Sequence, residues 1–161
     1  MKIERTHDMQ LVAQILGHPA IWPHIHEDGV DAPAPIDHDS LHWMLITEDE
    51  KPVGVFLVHG VSTVCYQMHT CLLPQIWGIG AAKAAQMLAR WVFDETPCLK
   101  LITNVPAYNR RALRFAEAGG MVREGINRAS FLRNGEPIDQ IVLGITKKEW
   151  KSCRQQSLLQ S

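Results

Sequence analysis

The segment 65–120 constrains the fold of this chain more than any other. It runs from the β-rich CYQMHTCLL through PQIWGIGAAKAAQMLARWVFDE, where Ala, Met, Leu, Arg and Gln favour helix behind a pair of glycines. The short apolar strand CLKLITNV follows, and then a second helix over 109–118 that stops at Gly119 and Gly120. Strand, glycine turn, helix, strand and helix in that order call for an α/β domain. Ahead of this passage, WMLITEDEKPVGVFLVHGVSTVCYQMHTCLL reads as three strands rich in Val, Ile and aromatic residues, with a turn at 48–51 and a bend near Gly60. Behind it, MVREGINRASFLRNGEPIDQIVLGI alternates as two strands about Asn134 and Gly135, a strong hairpin signal.

The N-terminal third is different in character. Met9, Val12, Ile15 and Leu16 recur at helical spacing, with Asp8 as the expected N-cap and Gly17 as the stop. The segment 18–39 then holds Pro19, Pro23, Pro33 and Pro35, which forbid a long regular element. A loop of this kind in a compact domain is a functional lid or an irregular connection. With 161 residues, 46% of them hydrophobic and 20% charged, the chain can build one core and is not disordered. The expectation is a single domain over 1–150 with a polar tail over 151–161.

Composition also excludes partners. Sixteen Lys and Arg against seventeen Asp and Glu give a net charge of -1, which argues against nucleic acid as a general partner while leaving a local basic patch open. Cys65, Cys71, Cys98 and Cys153 form no CxxC and are expected to be reduced thiols. The N-terminus has no apolar signal core and no window reaches the ~20 apolar residues of a membrane span, so a cytoplasmic protein without a membrane partner is expected.

The glycine turn carries the chemistry. A turn between a strand and a helix presents unpaired backbone N–H groups at the positive end of the helix dipole, which suits a pyrophosphate. Gly78 and Gly80 allow close approach because they lack Cβ. GIGAAKAA is not a Walker A loop, since it lacks the GK[ST] ending, and it lacks the third glycine of a dinucleotide fingerprint.

The hairpins, LLPQIWGIGAAKAA, the short strand, NRRALRFAEAGGMVREG and the closing hairpin up to Trp150 together resemble the GNAT superfamily of acyl-CoA-dependent N-acyltransferases. The likeness covers roughly residues 42–150. The tail, with AGGMVREGINR, NGEPID and KKEW, is most similar to the subgroup of ribosomal-protein and other amino-terminal acetyltransferases. The resemblance implies an α/β GNAT fold: a mixed, mostly antiparallel sheet flanked by helices, with a V-shaped splay between central strands. It implies acetyl-CoA as co-substrate, no metal, and an amine acceptor, either a peptide or a small molecule; a homodimer is compatible with it. The coenzyme's pyrophosphate would rest on the amides of Gly78, Ile79, Gly80, Ala81 and Ala82, and the backbone of Cys71, Leu72 and Leu73 would meet pantetheine. The family's Q/R-x-x-G-x-G/A pattern can start at Gln75, or at Trp77 with Gly80 and Ala82 as its small residues. Asn109 would bond the pantetheine arm, and Arg110 or Arg111 would approach the 3′-phosphate.

For the transfer step, the tyrosine that many members carry about seven residues after the asparagine is Ala116 here. Tyr108 and Ser130 are the substitutes for that proton donor. His69, on the strand leading into the glycine turn, is the candidate base, and a packed or exposed strand histidine is its alternative. Gln67 beside it cannot titrate. Trp22, His24, His26 and Asp28 are the candidate acceptor contacts, since the segment after the first helix often covers the acceptor pocket in this fold. The H-x-H-E-D spacing of that loop could also ligate zinc, although a solvated or acceptor-gripping loop accounts for it better. Two other assignments stay open. One is a GNAT-like binding or structural module without turnover. HPAIWPHIHEDG and QMHTCLLP resemble GNAT-like proteins of tailed bacteriophages, some of them head-assembly or DNA-transfer proteins, which would place the chain in a virion. The other is a protein that binds a different nucleotide phosphate on the same turn.

Overall fold

The computed structural model describes the backbone of residues 1–159 and the side chains of residues 1–153. Its elements follow in the order β1 (Lys2–Arg5), α1 (Met9–Leu16), α2 (Trp22–Ile25), β2 (Leu41–Glu48), β3 (Lys51–Gly60), β4 (Cys65–Leu72), a 3-10 turn (Pro74–Ile76), α3 (Ile79–Glu95), β5 (Lys100–Pro106), α4 (Arg110–Ala118), β6 (Val122–Arg133), β7 (Glu136–Thr146) and α5 (Lys147–Leu159). The expected boundary at 150 falls inside α5, which crosses it.

One seven-stranded sheet has the order β1-β2-β3-β4-β5-β7-β6. Every neighbouring pair is antiparallel except β4 and β5. The two predicted hairpins form on two-residue turns: Asp49 and Glu50 (φ 49° and 61°) join β2 to β3, and Asn134 and Gly135 (φ 53° and 75°) join β6 to β7. Positive φ at both central residues gives the twist that antiparallel strands need.

Alternation along the strands divides the core in two. Met44, Ile46, Phe56, Val58 and Met68 share one cluster with Ala84, Leu88, Val92 and Phe93 of α3, with Leu113 and Ala116 of α4, and with Trp150 of α5. Trp43, Leu45, Val55 and Cys71 share the other with Val12, Ile15 and Leu16 of α1. Asp8 caps α1 as expected, its Oδ1 accepting from the Leu11 amide at 2.9 Å.

The parallel pair is the feature that positions the site. Cys65, Tyr66 and Gln67 pair with Lys100, Leu101 and Ile102, and there the ladder ends. Beyond it β4 stays with β3 as far as Leu72, while β5 stays with β7 as far as Pro106. The sheet therefore opens between Met68 and Leu72 on one side and Thr103 and Pro106 on the other.

Leu88 sits at the centre of the α3 contact with no solvent exposure. Leu88→Ala is expected to lower stability by about 2 to 5 kcal/mol through lost burial and a residual cavity, measured by urea unfolding.

Candidate functional site

The opening in the sheet is a cleft of about 650 Å³. One end is walled by Trp77, Gly78, Ala81, Asn109, Arg110 and Arg111, and the other by Ile21, His24, Tyr108, Phe131 and Gln140, with Met68, Thr70, Leu72 and Asn104 between them.

At the first end, α3 begins at Ile79 behind Gly78, whose φ of +88° is costly for a residue with a side chain. The first helical bond runs from the Ala82 amide to the Gly78 carbonyl at 3.1 Å. The Ala82 N–H is therefore taken, and the expected cradle 78–82 shortens to the amides of Gly78, Ile79, Gly80 and Ala81, which have no partner among the described residues. Ile79 is 91% exposed, so this helix end is open to a ligand. The two glycines serve different needs. Gly78 supplies a backbone conformation, with nothing within 4 Å of a Cβ placed there, whereas a Cβ on Gly80 would stand 3.0 Å from the Ile76 Cβ.

Trp77 closes this end from the strand side. Its indole Nε1 donates to the Leu72 carbonyl at 2.9 Å, and the Arg111 guanidinium lies 4.0 Å over its ring. Arg110 and Arg111 are exposed at the start of α4, with no ion pair to a described carboxylate. Asn109 caps that helix, its Oδ1 accepting from the Ala112 amide at 3.1 Å, so only its amide nitrogen is left to donate elsewhere. Of the three strand residues expected to offer backbone groups, Leu73 donates its N–H to Val53 (2.9 Å) and Cys71 pairs with Val55. Alternation then turns the backbone groups of Thr70 and Leu72 toward the opening. Burial pushes the Cys71 thiol up to about 12, which leaves it inert.

At the other end the side chains come from distant parts of the chain. His69 lines the cleft, and its Nε2 lies 3.4 Å from the Nε2 of His59 and 3.4 Å from the Gln67 amide nitrogen. The two imidazoles stack with centroids 5.5 Å apart. The His69 ring is exposed, but its open surface faces the cleft, where bulk hydration is reduced. That desolvation first, and then the neighbouring His59, pull it down to about 4. Its ring is therefore neutral at pH 7. Tyr108 lines the same end; its hydroxyl accepts from Arg133 Nη1, which also donates to the Pro23 carbonyl at 2.9 Å. Arginine can only donate, so the phenolic proton stays available to a third group.

His24 is the one member of the proline-loop set that lines the cleft. Desolvation first, and then Arg133 and Arg111, lower its pKa. Trp22, His26 and Asp28 are engaged elsewhere. His26 stacks on Trp22 with centroids 4.9 Å apart, and its Nδ1 lies 2.6 Å from the Trp22 carbonyl. Asp28 accepts from the amides of Asn134 (3.0 Å) and Gly135 (2.7 Å), and Glu27 accepts from the Leu132 amide at 2.8 Å. The H-x-H-E-D pattern thus pins the loop to the β6–β7 hairpin, and among the described residues no three His, Cys, Asp or Glu side chains converge on a metal position. Ser130 lies outside the cleft lining, its Oγ donating to the Asn127 carbonyl at 2.8 Å. Cys65, Cys71 and Cys98 are free thiols. Among the described residues no helix is long and apolar enough to cross a membrane.

Sequence reasoning missed Asn104, Gln140 and Phe131 as cleft residues. Asn104 had a signal: with Thr103 it interrupts the apolar run of β5, and its Oδ1 is buried without a partner among the described residues.

His69 is expected to titrate at about 4 in NMR. Because the unfolded ring binds its proton near pH 6.5, this group's contribution makes stability fall as pH drops from about 6.5 toward 4. His59→Gln should restore only a small part of the depression, since desolvation is the larger cause; full recovery of an ordinary histidine titration would refute that ranking.

No protein-family model matches the sequence, and no curated protein matches it. Solved structures do match. A spermidine N-acetyltransferase from Vibrio cholerae, in complex with CoA and spermine, is similar at a TM-score of 0.77 and 14% identity, over 93% of this chain and 97% of that one. A chimera built on the same Vibrio cholerae enzyme is similar at a TM-score of 0.77 and 13% identity, over 94% and 99% of the two chains. At these identities the likeness establishes the fold.

Proposed function

We propose that this chain, which has the GNAT acyltransferase fold, is an acyl-CoA-dependent N-acyltransferase that moves an acetyl group to an amine by direct attack. The observation that carries the proposal is the coincidence of two features: strands β4 and β5 part after Gln67 and Ile102, and the gap ends at four unpaired amides on the positive end of α3. The compared Vibrio cholerae structure, which holds CoA and spermine, supports both halves of the reading.

The described residues fit coenzyme A. Gly78 to Ala81 would hold the pyrophosphate, Thr70 and Leu72 would pair with the amides of the pantetheine arm, Asn109 would donate to it, and Arg110 or Arg111 would meet a phosphate. When bound, the thioester supplies an activated carbonyl carbon. The amine nitrogen forms the new C–N bond there as the C–S bond breaks, the amine loses a proton and the thiolate gains one. Tyr108 would give the proton to sulfur; its O–H is left free by Arg133, and Ala116 offers none. His69 accepts a hydrogen bond from the amine. With its titration held near 4 it orients the nucleophile and passes the proton to water instead of retaining it. It is a positioning base.

Ile79→Pro tests the cradle, because proline at the first helical position keeps the helix and removes one amide donor. Calorimetry is expected to show acetyl-CoA binding to the wild type and roughly tenfold or weaker binding to the variant, the scale of one charge-assisted hydrogen bond, with melting unchanged. Binding without thiol release across a panel of amines would instead favour a module without turnover. Absence of binding in the wild type would refute the proposal.

A further inference from the structure

The compared enzyme holds spermine, a polycation. Such a ligand is best held by carboxylates around its ammonium groups, because a charge that loses hydration without gaining a partner is unfavourable. Among the described residues the cleft of this chain offers none: no Asp or Glu is in its lining. The nearest acidic side chains are turned to other tasks. Glu27 holds the Leu132 amide, Asp28 holds the amides of Asn134 and Gly135, and Asp139 holds the Ala129 amide at 2.8 Å.

The acceptor end is lined by neutral groups, and Arg133, which is not part of that lining, borders it through Tyr108. Arg133 lies beside Tyr108, its guanidinium carbon 4.4 Å from the ring centroid, and only its Nη1 is engaged by described residues. Its Nη2 and Nε keep their donors free. No described carboxylate comes within ion-pair distance of it, although Asp28 lies near enough to feel its charge. Arg133 and Arg111 both act on His24 in the cleft wall. The other polar groups there are His69, Asn104 and Gln140, none of which brings negative charge.

Resting on the acyltransferase reading above, we infer that the acceptor is a primary amine that carries an anionic group and no second positive charge, with Arg133 receiving the anion. An amine with a carboxylate on its own skeleton meets this requirement: the carboxylate takes the free edge of the guanidinium while the amino group, as the neutral base, reaches His69. A diamine of equal length would place an ammonium against Arg133. Selectivity then comes from repulsion as much as from attraction.

The test compares 4-aminobutyrate with 1,4-diaminobutane and spermidine. Binding of each to the CoA-saturated protein is measured by calorimetry, and turnover of each with acetyl-CoA by thiol release. The expected result is a preference of roughly 10- to 100-fold for 4-aminobutyrate, the range of a hydrogen bond to a charged group. Arg133→Glu should reverse the ratio, and Arg133→Lys should preserve its direction. A merely structural disturbance of Tyr108 would lower turnover of all three amines and leave their ratio in place, which would overturn the role of Arg133. Preference of the wild type for either polyamine, or binding of none of the amines by a protein that does bind acetyl-CoA, would overturn the inference alone. Failure to bind acetyl-CoA would remove the acyltransferase reading itself.

Discussion

Two strands that run parallel for three residues and then separate govern everything else in this molecule. The cause lies in their outer neighbours. Beta strand β4 is held to β3 so closely that a Cβ on Gly54 would stand 2.7 Å from Leu72 Cδ2 and 2.8 Å from the Cys71 carbonyl. On the other side, β5 follows β7 through Pro106, and the Ala107 amide extends that ladder to the Asp139 carbonyl at 2.9 Å. Each strand keeps its antiparallel partner, and the sheet's twist carries the two halves apart. The inner edges are left with unpaired backbone groups that must find water or a ligand. Filling such a cleft with hydrogen-bonding groups would recover what the missing ladder gave up.

The two ends of that cleft are electrostatically alike and chemically different. Four open amides, a helix dipole, Arg110 and Arg111 make the α3 end a place for phosphate. At the far end the positive charge belongs to Arg133, while the imidazoles of His24 and His69 are biased toward neutrality by the loss of hydration, and by Arg133 and Arg111 for His24 and His59 for His69. Neutral imidazole is what a nucleophilic amine requires of its neighbour, because a protonated ring would compete for the same lone pair. The field that suppresses protonation at His24 would also repel a polycationic ligand, so the protonation state and the proposed acceptor charge follow from one arrangement.

The fold was legible because its signals are local. The period-two runs, the Asn134-Gly135 turn, the Asp8 cap and the glycine pair before α3 each act over a few residues, and the structure places each where the pattern puts it. The site was legible only in part. The glycine turn could be found from sequence, but which amides remain open depends on where the first helical bond closes, and that removes Ala82. The proline loop was expected to be an acceptor surface because the segment after the first helix often covers the acceptor pocket in the fold the sequence resembles. Its acidic members instead reach residues 105 to 107 positions away to hold the β6–β7 hairpin. Pairings at that separation have no periodic trace. Asn104, Phe131 and Gln140 reach the cleft for the same reason, through the β5–β7–β6 registers.

Ala116 shows how such long-range pairing changes a catalytic assignment. A buried alanine on α4 removes a hydroxyl from that wall of the cleft, while Tyr108, immediately before the cap residue Asn109, brings one to the other wall. Two of the chain's features are needed for that phenol to act. The α2 segment and the end of β6 must meet so that Arg133 can bind both the Pro23 carbonyl and the phenolic oxygen, and the Glu27 and Asp28 contacts make them meet. The clamp formed by the acidic loop residues therefore precedes the proposed proton donor: it holds the arginine that fixes the tyrosine. Since guanidinium accepts no hydrogen bond, the phenol's orientation is set with its proton still free, and Tyr108 owes that orientation to Arg133, 25 positions further along at the end of β6.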